Sequence, residues 1–449
     1  MKLLTGLLYG ALLFSEASAQ KLTASQVEAD IDKAKLRKTL EDLNAIANKN
    51  GGNRAFGLPG YKASLDYVLG QIQGEYGKFL DTSVQKFTHT FEETRKISLR
   101  GPDGEDVLVV ALMYNKATPI PGGVTAPLVL VPVDDDRGSG CFEDQWKGVD
   151  ATNKIALVKR GVCAVSDKLK LAKKAGARGV ILVNKNPGNK IIGSTVGAEN
   201  VDLVVPAGVI SLEVGTSWRQ RIEKGETLKV TLLVDSAFEP RESWNIISET
   251  KEGDPNNVVM LGAHLDSVKA GAGINDDGSA VAALLEVAKS FTKYKGYKNK
   301  VRFAWWGAEE SGLIGSTYYT QQLSKPEADK IRFYFNYDMI ASPNPRCFVQ
   351  ASNDVDRVGG TLLADWLRKN GQTPEWKVSD AADQVPFLKL GIPCSGMSTG
   401  ADAQADPCYH TKCDDINNIN WDALYRNTKA IGQAATQFAL SLDGLPPRS

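Results

Sequence analysis

Four blocks between residues 258 and 339 share one layout. In each, a short apolar run ends on His, Asp or Glu where a strand should give way to a loop. They are Met260-Leu261-Gly262-Ala263-His264-Leu265-Asp266-Ser267, Gly273-Ile274-Asn275-Asp276-Asp277-Gly278, Trp305-Trp306-Gly307-Ala308-Glu309-Glu310 and Asn336-Tyr337-Asp338-Met339. Strand-like and helix-like stretches alternate around them. Strands are predicted over 258–263, 301–306, 333–337 and 394–397, and helices over 278–292, 311–323, 358–369 and 421–442. Such alternation points to an α/β fold, a mixed and mostly parallel central sheet with helices on both faces. Sheets of this kind place their chemistry on loops at strand ends.

A chain of 449 residues is long enough for two domains, or for one large domain with an insertion. Lys+Arg and Asp+Glu are both 53, so no net field points to nucleic acid or to an anionic membrane surface. The start, Met1-Lys2 followed by an apolar run over 3–14 and Ala17-Ser18-Ala19, has the three parts of a secretory signal, with a mature chain expected from Gln20. The run is too short for a membrane anchor, which needs about 20 apolar residues. Secretion makes disulfides permissible, and the six cysteines, Cys141, Cys163, Cys347, Cys394, Cys408 and Cys413, are even in number. The absence of Cys-x-x-Cys argues against a structural zinc knuckle, and the absence of Asn-x-Ser/Thr against N-glycosylation.

From 22 to about 78 the pattern is helical. Ser25 is a candidate cap for a helix running through Lys38 and beyond, and Tyr61, Leu65, Val68 and Leu69 share one face. A strand-like passage begins at Gln85. Between about 94 and 236 strand-like runs at 107–110, 128–131, 155–158, 180–183 and 228–234 surround one clear helix, 166–175, and no His occurs between His89 and His264. This texture suggests a separate module away from the chemistry.

The chain has three histidines, and two of them, His264 and His410, sit in carboxylate-rich loops. Zinc favours imidazole and carboxylate ligands, and a hydrolytic site leaves one position open for water. Two ions about 3.5–4 Å apart need one bridging carboxylate, with an imidazole and a further carboxylate completing each side. His264, Asp276, Glu310, Asp338 and His410 make such a set, with Asp276 the natural bridge. Side chains of neighbours at a strand end diverge, so one of Glu309 and Glu310 binds metal and the other is free to act as a general base.

Two resemblances extend these expectations. The run Lys154–Cys163, the stretch 168–176 and Gly179-Val180-Ile181-Leu182 resemble the protease-associated domain, a small β-rich module inserted in secreted and vacuolar peptidases; this likeness implies a Cys141–Cys163 disulfide. The second covers nearly all of 244–442. Gly262–Ser267, Gly271–Ser279, Arg302–Leu313, Asn336–Ile340 and Cys408-Tyr409-His410-Thr411-Lys412-Cys413-Asp414 resemble the co-catalytic di-zinc aminopeptidases of the secreted leucyl aminopeptidase and aminopeptidase Y type.

That resemblance implies a zinc exopeptidase fold holding two Zn2+: His264, Asp276 and Asp338 on one ion, and Asp276, Glu310 and His410 on the other. It makes Glu309 the general base, Tyr409 an oxyanion donor, and Asp266 the residue that orients His264 from behind. It also implies a cis peptide after Asp276 and a Cys408–Cys413 disulfide. Cys347 and Cys394 remain open between a third bridge and two buried thiols. Where many members read Arg-Ser-Asp-His before Pro-Phe, this chain has Ala381-Ala382-Asp383-Gln384, without the arginine.

The expected organisation is a signal peptide over 1–19, an N-terminal helical part of the peptidase domain over 20–95, a protease-associated domain over 96–238 and the zinc peptidase domain over 239–449. The expected protein is a secreted, alternatively vacuolar, monomeric metallo-aminopeptidase. It acts on peptides with a free N-terminus, releases large apolar residues, and involves neither nucleic acid nor membrane. Rival readings are a carboxypeptidase or dipeptidase on the same fold, which needs a basic clamp for the substrate carboxylate, and a non-catalytic peptidase-like binding protein, which would lack ligands.

Overall fold

A computed structural model describes residues 20–448 except 189, 190, 192 and 379. The expected signal peptide lies outside the described residues. Two compact units emerge: residues up to Phe87 together with those from Ser243 onward, and Thr88–Glu242.

In the first unit the strand order is Glu375–Lys377, Phe348–Gln350, Cys394–Ser398, Ile331–Tyr337, Asp254–His264, Asn299–Trp306 and the end of Lys229–Thr250. Asp254–His264 is central and runs parallel to both neighbours. Antiparallel pairing occurs at the two sides, between Asn299–Trp306 and residues 246–249 and between Phe348–Gln350 and Cys394–Ser398. The sheet is therefore mixed and mostly parallel, as the alternation predicts. Strands buried on both faces need continuous apolar runs, and Val258, Val259, Met260, Leu261 and Ala263 are all fully buried.

Register brings the site together. Trp306 pairs with His264 and Asn336 with Gly262, so Gly307–Glu310 and Asp338 leave the sheet level with His264, at the carboxyl ends of three adjacent parallel strands. Helix Gly278–Phe291 starts just after Asp276, with Asp277 capping it through the Ala280 amide.

The helical N-terminus differs in detail from expectation. Thr23, not Ser25, caps Ala24–Asp30, and a new helix, Lys33–Lys49, begins where the Asp32 carboxylate accepts the Ala34 and Lys35 amides. One run becomes two because an aspartate inside it caps better than it propagates. The predicted 311–323 helix shortens to Ile314–Gln321. The amides of Gly312 and Leu313 instead return to the Glu309 carbonyl, leaving residues 309–313 as a tight loop with Leu313 left-handed.

In the second unit Val124–Leu130, Ile155–Lys159, Gly179–Val183 and Ala207–Ile210 pair in parallel in that order. Helix Val165–Lys174 matches the predicted one. A second helix, Leu212–Glu223, was not expected. Its opening turns carry Val214, Gly215 and Thr216, all weak helix formers. The Ser211 cap and burial of Trp218 with Leu228 and Ile181 override that local preference.

Cys141–Cys163 and Cys408–Cys413 are disulfides. Cys347 and Cys394 are not bridged. Phe348 lies opposite Ser398 in an antiparallel ladder, so Cys347 falls five positions from Cys394, roughly 16 Å along the strand. Bridged Cα atoms lie within about 7 Å. No helix among the described residues is long and apolar enough to cross a membrane.

Candidate metal centre

All five predicted ligands converge. The two Asp276 oxygens face different imidazoles, Oδ1 at 3.0 Å from His264 Nε2 and Oδ2 at 3.2 Å from His410 Nε2. His264 Nε2 is also 3.9 Å from Asp338 Oδ1, and His410 Nε2 is 3.1 Å from Glu310 Oε2. Donor atoms of His264, Asp276 and Asp338, and those of Asp276, Glu310 and His410, form two groups, each within 4.8 Å and each sharing Asp276. The Asp276–Asp277 peptide is cis, in line with the resemblance. Glu309 belongs to neither group, with Oε2 3.9 Å from His264 Nε2.

The donors fit a cationic guest. Glu310 Oε1 and Asp338 Oδ1 are buried without a hydrogen-bond partner among the described residues, a costly state for a carboxylate unless a cation meets it. Burial, and then the charge of Asp276, push Glu310 up to about 7 and Asp338 up to about 6. Burial likewise drives Glu309 well above the usual carboxylate range, reinforced by Asp383, Glu310 and Asp338. Asp276 is the exception: burial works against its charge, but hydrogen bonds to His264 and His410 hold it low. Imidazole and carboxylate oxygens in sets of three suit zinc with a position left open.

The candidate ligands are fixed by carboxylates behind them. His264 Nδ1 donates to the Asp266 backbone carbonyl at 3.1 Å, while the Asp266 carboxylate stands 3.9 Å away. That carboxylate accepts instead the amides of Glu309 at 3.0 Å and Glu310 at 3.2 Å. Asp266 thus orients the histidine through its main chain and the glutamate loop through its side chain. Asp277 accepts the amides of His264 and Met339, both at 3.2 Å, which ties two ligand-bearing strands to the helix it caps. Asp414 accepts the amides of Asn275 at 2.8 Å and Asp276 at 3.1 Å, from just beyond the Cys408–Cys413 loop. Sequence reasoning assigned no role to Asp277 or Asp414. The one available signal was their position beside a ligand or a cysteine.

His410 is left-handed at φ 57°, and Tyr409 stacks on it with ring centroids 3.8 Å apart. Tyr409 is 37% exposed overall. Asp383, from the segment that lacks the family arginine, is buried with Oδ1 unpartnered among the described residues, and burial pushes it up to about 7.

Residues 245–435 match Peptidase family M28, and residues 124–218 match the PA domain. Aminopeptidase Y of Saccharomyces cerevisiae is 34% identical over 436 residues, which cover 92% of this chain and 80% of that protein. The chain belongs to peptidase family M28. Among solved structures, the aminopeptidase from Aneurinibacillus sp. strain AM-1 superposes with a TM-score of 0.81 at 26% identity, covering 95% of this chain and 98% of that one. A zinc aminopeptidase from Bacillus subtilis superposes at 0.70 and 25% identity, covering 91% and 95%. As an M28 peptidase with an inserted PA domain, the chain has the fold and family that its motifs resemble.

Proposed function

We propose that this M28 peptidase is a zinc-dependent aminopeptidase of an oxidising compartment, secreted or vacuolar, that removes large apolar N-terminal residues from peptides. The observation that carries this is Asp276, whose two oxygens serve two separate imidazole-carboxylate sets. We assign His264, Asp276 and Asp338 to one zinc ion and Asp276, Glu310 and His410 to a second. The aminopeptidase names of the relatives and the two disulfides support the activity and the compartment.

Bound zinc supplies Lewis-acid polarisation of the scissile carbonyl and acidifies water towards neutral pH. Glu309, outside both ligand sets, accepts a proton from the attacking water and delivers it to the leaving amine. Tyr409 donates its hydroxyl to the carbonyl oxygen as negative charge builds there. The charges of Glu309 and Asp338 suit the substrate ammonium group.

Leucine p-nitroanilide should be hydrolysed and its N-acetyl form left intact, with activity lost on chelation and restored by zinc. Cleavage of the blocked compound would overturn the aminopeptidase assignment, and indifference to chelator the metal centre. Tyr409→Phe is expected to lower kcat about 100- to 1000-fold with KM within threefold, as for loss of a single oxyanion donor. An unchanged kcat would leave Tyr409 no more than a wall of the pocket.

A further inference from the structure

Residues 265–275 join two ligands, His264 and Asp276, and are organised around a side chain from the distant N-terminal part of the chain. Arg54 is fully buried. Its Nε donates to the Ala272 carbonyl at 2.8 Å, one terminal nitrogen donates to the Gly273 carbonyl at 2.6 Å, and the other donates to the Leu265 carbonyl. Its backbone amide donates to Ser267 Oγ at 2.9 Å, and the same hydroxyl reaches the carbonyls of Val268 and Gly271 at 2.9 and 3.0 Å. Gly273, at φ 64°, permits the close approach: a Cβ there would meet the Asp276 carbonyl oxygen at 2.4 Å and Ser267 Cβ at 2.5 Å.

A buried guanidinium bound to carbonyls needs nearby negative charge, and the charges around it are those of Asp266, Asp414, Asp277 and Asp276. A planar fork of fixed donors holds carbonyls from both ends of one loop in a set geometry, which a compact ammonium on a flexible stem does not impose.

We propose that Arg54 is a positioning residue of the metal centre. It clamps both ends of the 265–273 segment and so sets where His264 and Asp276 stand relative to each other. This rests on the metal-peptidase function proposed above. Arg54 touches neither substrate nor zinc, so its loss acts on ligand geometry. Changes behind metal ligands commonly cost about 10- to 100-fold in metal affinity or activity.

The test compares Arg54→Lys, which keeps the charge and loses the fork, with wild type. Zinc affinity is measured by chelator competition, the rise in Tm on adding zinc by calorimetry, and kcat and KM at saturating zinc. Zinc affinity is expected to fall at least about tenfold, the zinc-induced rise in Tm to shrink, and kcat to fall about tenfold or more with KM within threefold. A purely structural arginine would lower Tm equally with and without zinc and leave affinity and kcat unchanged, which overturns the proposal. If Arg54→Lys fails to fold, Ser267→Ala takes its place with the same readouts: weaker zinc binding supports the clamp, and wild-type values overturn it. Wild-type protein that binds no zinc, or leaves leucine p-nitroanilide intact, fails the metal-peptidase function itself and not the role of Arg54.

Discussion

Glu309→Gln is expected to keep its full zinc content and lose about a thousandfold in kcat, about 4 kcal/mol of transition-state stabilisation. Metal should stay because Glu309 lies outside both donor groups, and because its amide, which donates to Asp266 Oδ1 at 3.0 Å, is untouched by the substitution. Glutamine fills the same space and can still accept a hydrogen bond, but it cannot carry a proton from water to the leaving amine. KM should move little, since the change removes proton transfer and not ground-state contacts. Metal analysis beside steady-state kinetics checks both halves. Near-normal turnover would end the role of Glu309 as base, and loss of zinc would make it a ligand. The neighbouring Glu310→Gln is expected to behave oppositely, losing zinc first, because Glu310 Oε2 stands with His410 and Asp276 in one donor group.

Asp276→Asn is expected to empty the centre. Each carboxylate oxygen faces its own imidazole, so the substitution weakens both donor groups at once and removes the negative charge they share. Zinc content should fall below one ion per chain after dialysis. Activity should drop by about three orders of magnitude or more, because the chemistry that zinc supplies goes with the metal. Asp338→Asn touches only the group containing His264 and should retain more zinc than Asp276→Asn. Equal zinc content in the two variants would argue against Asp276 as a shared ligand.

The candidate ligand set was legible because catalytic α/β sheets leave a local trace: an apolar run long enough to be a buried strand, then His, Asp or Glu at its end. His264, Glu310 and Asp338 follow this pattern, and Asp276 sits at the mouth of the helix after the first of them. His410 was harder, since it follows no strand; its neighbouring cysteines and carboxylates gave it away. The supports left weaker traces. Asp277 and Asp414 hold backbone amides, a role any aspartate in a loop could play. Arg54 lies more than two hundred residues from the loop that it clamps, on a stretch that local reading gives only as helix and turn. The unpaired Cys347 and Cys394 and the second helix of the PA unit depended on strand register and on tertiary burial, which local pattern does not carry.

The sequence by itself thus determined the α/β alternation and the five residues that converge, because each is written in spacing close along the chain, while both disulfides followed from the family resemblances of its motifs. Only the tertiary structure decided which carboxylate faces which imidazole, that Asp266 meets His264 through its carbonyl while its carboxylate holds the glutamate loop, and that Arg54 lies beneath it all. The physical reason is that ligands mark the ends of local elements. The groups that position them are chosen by burial, where any distant residue with the right donors can satisfy a carbonyl or an amide that folding has removed from water.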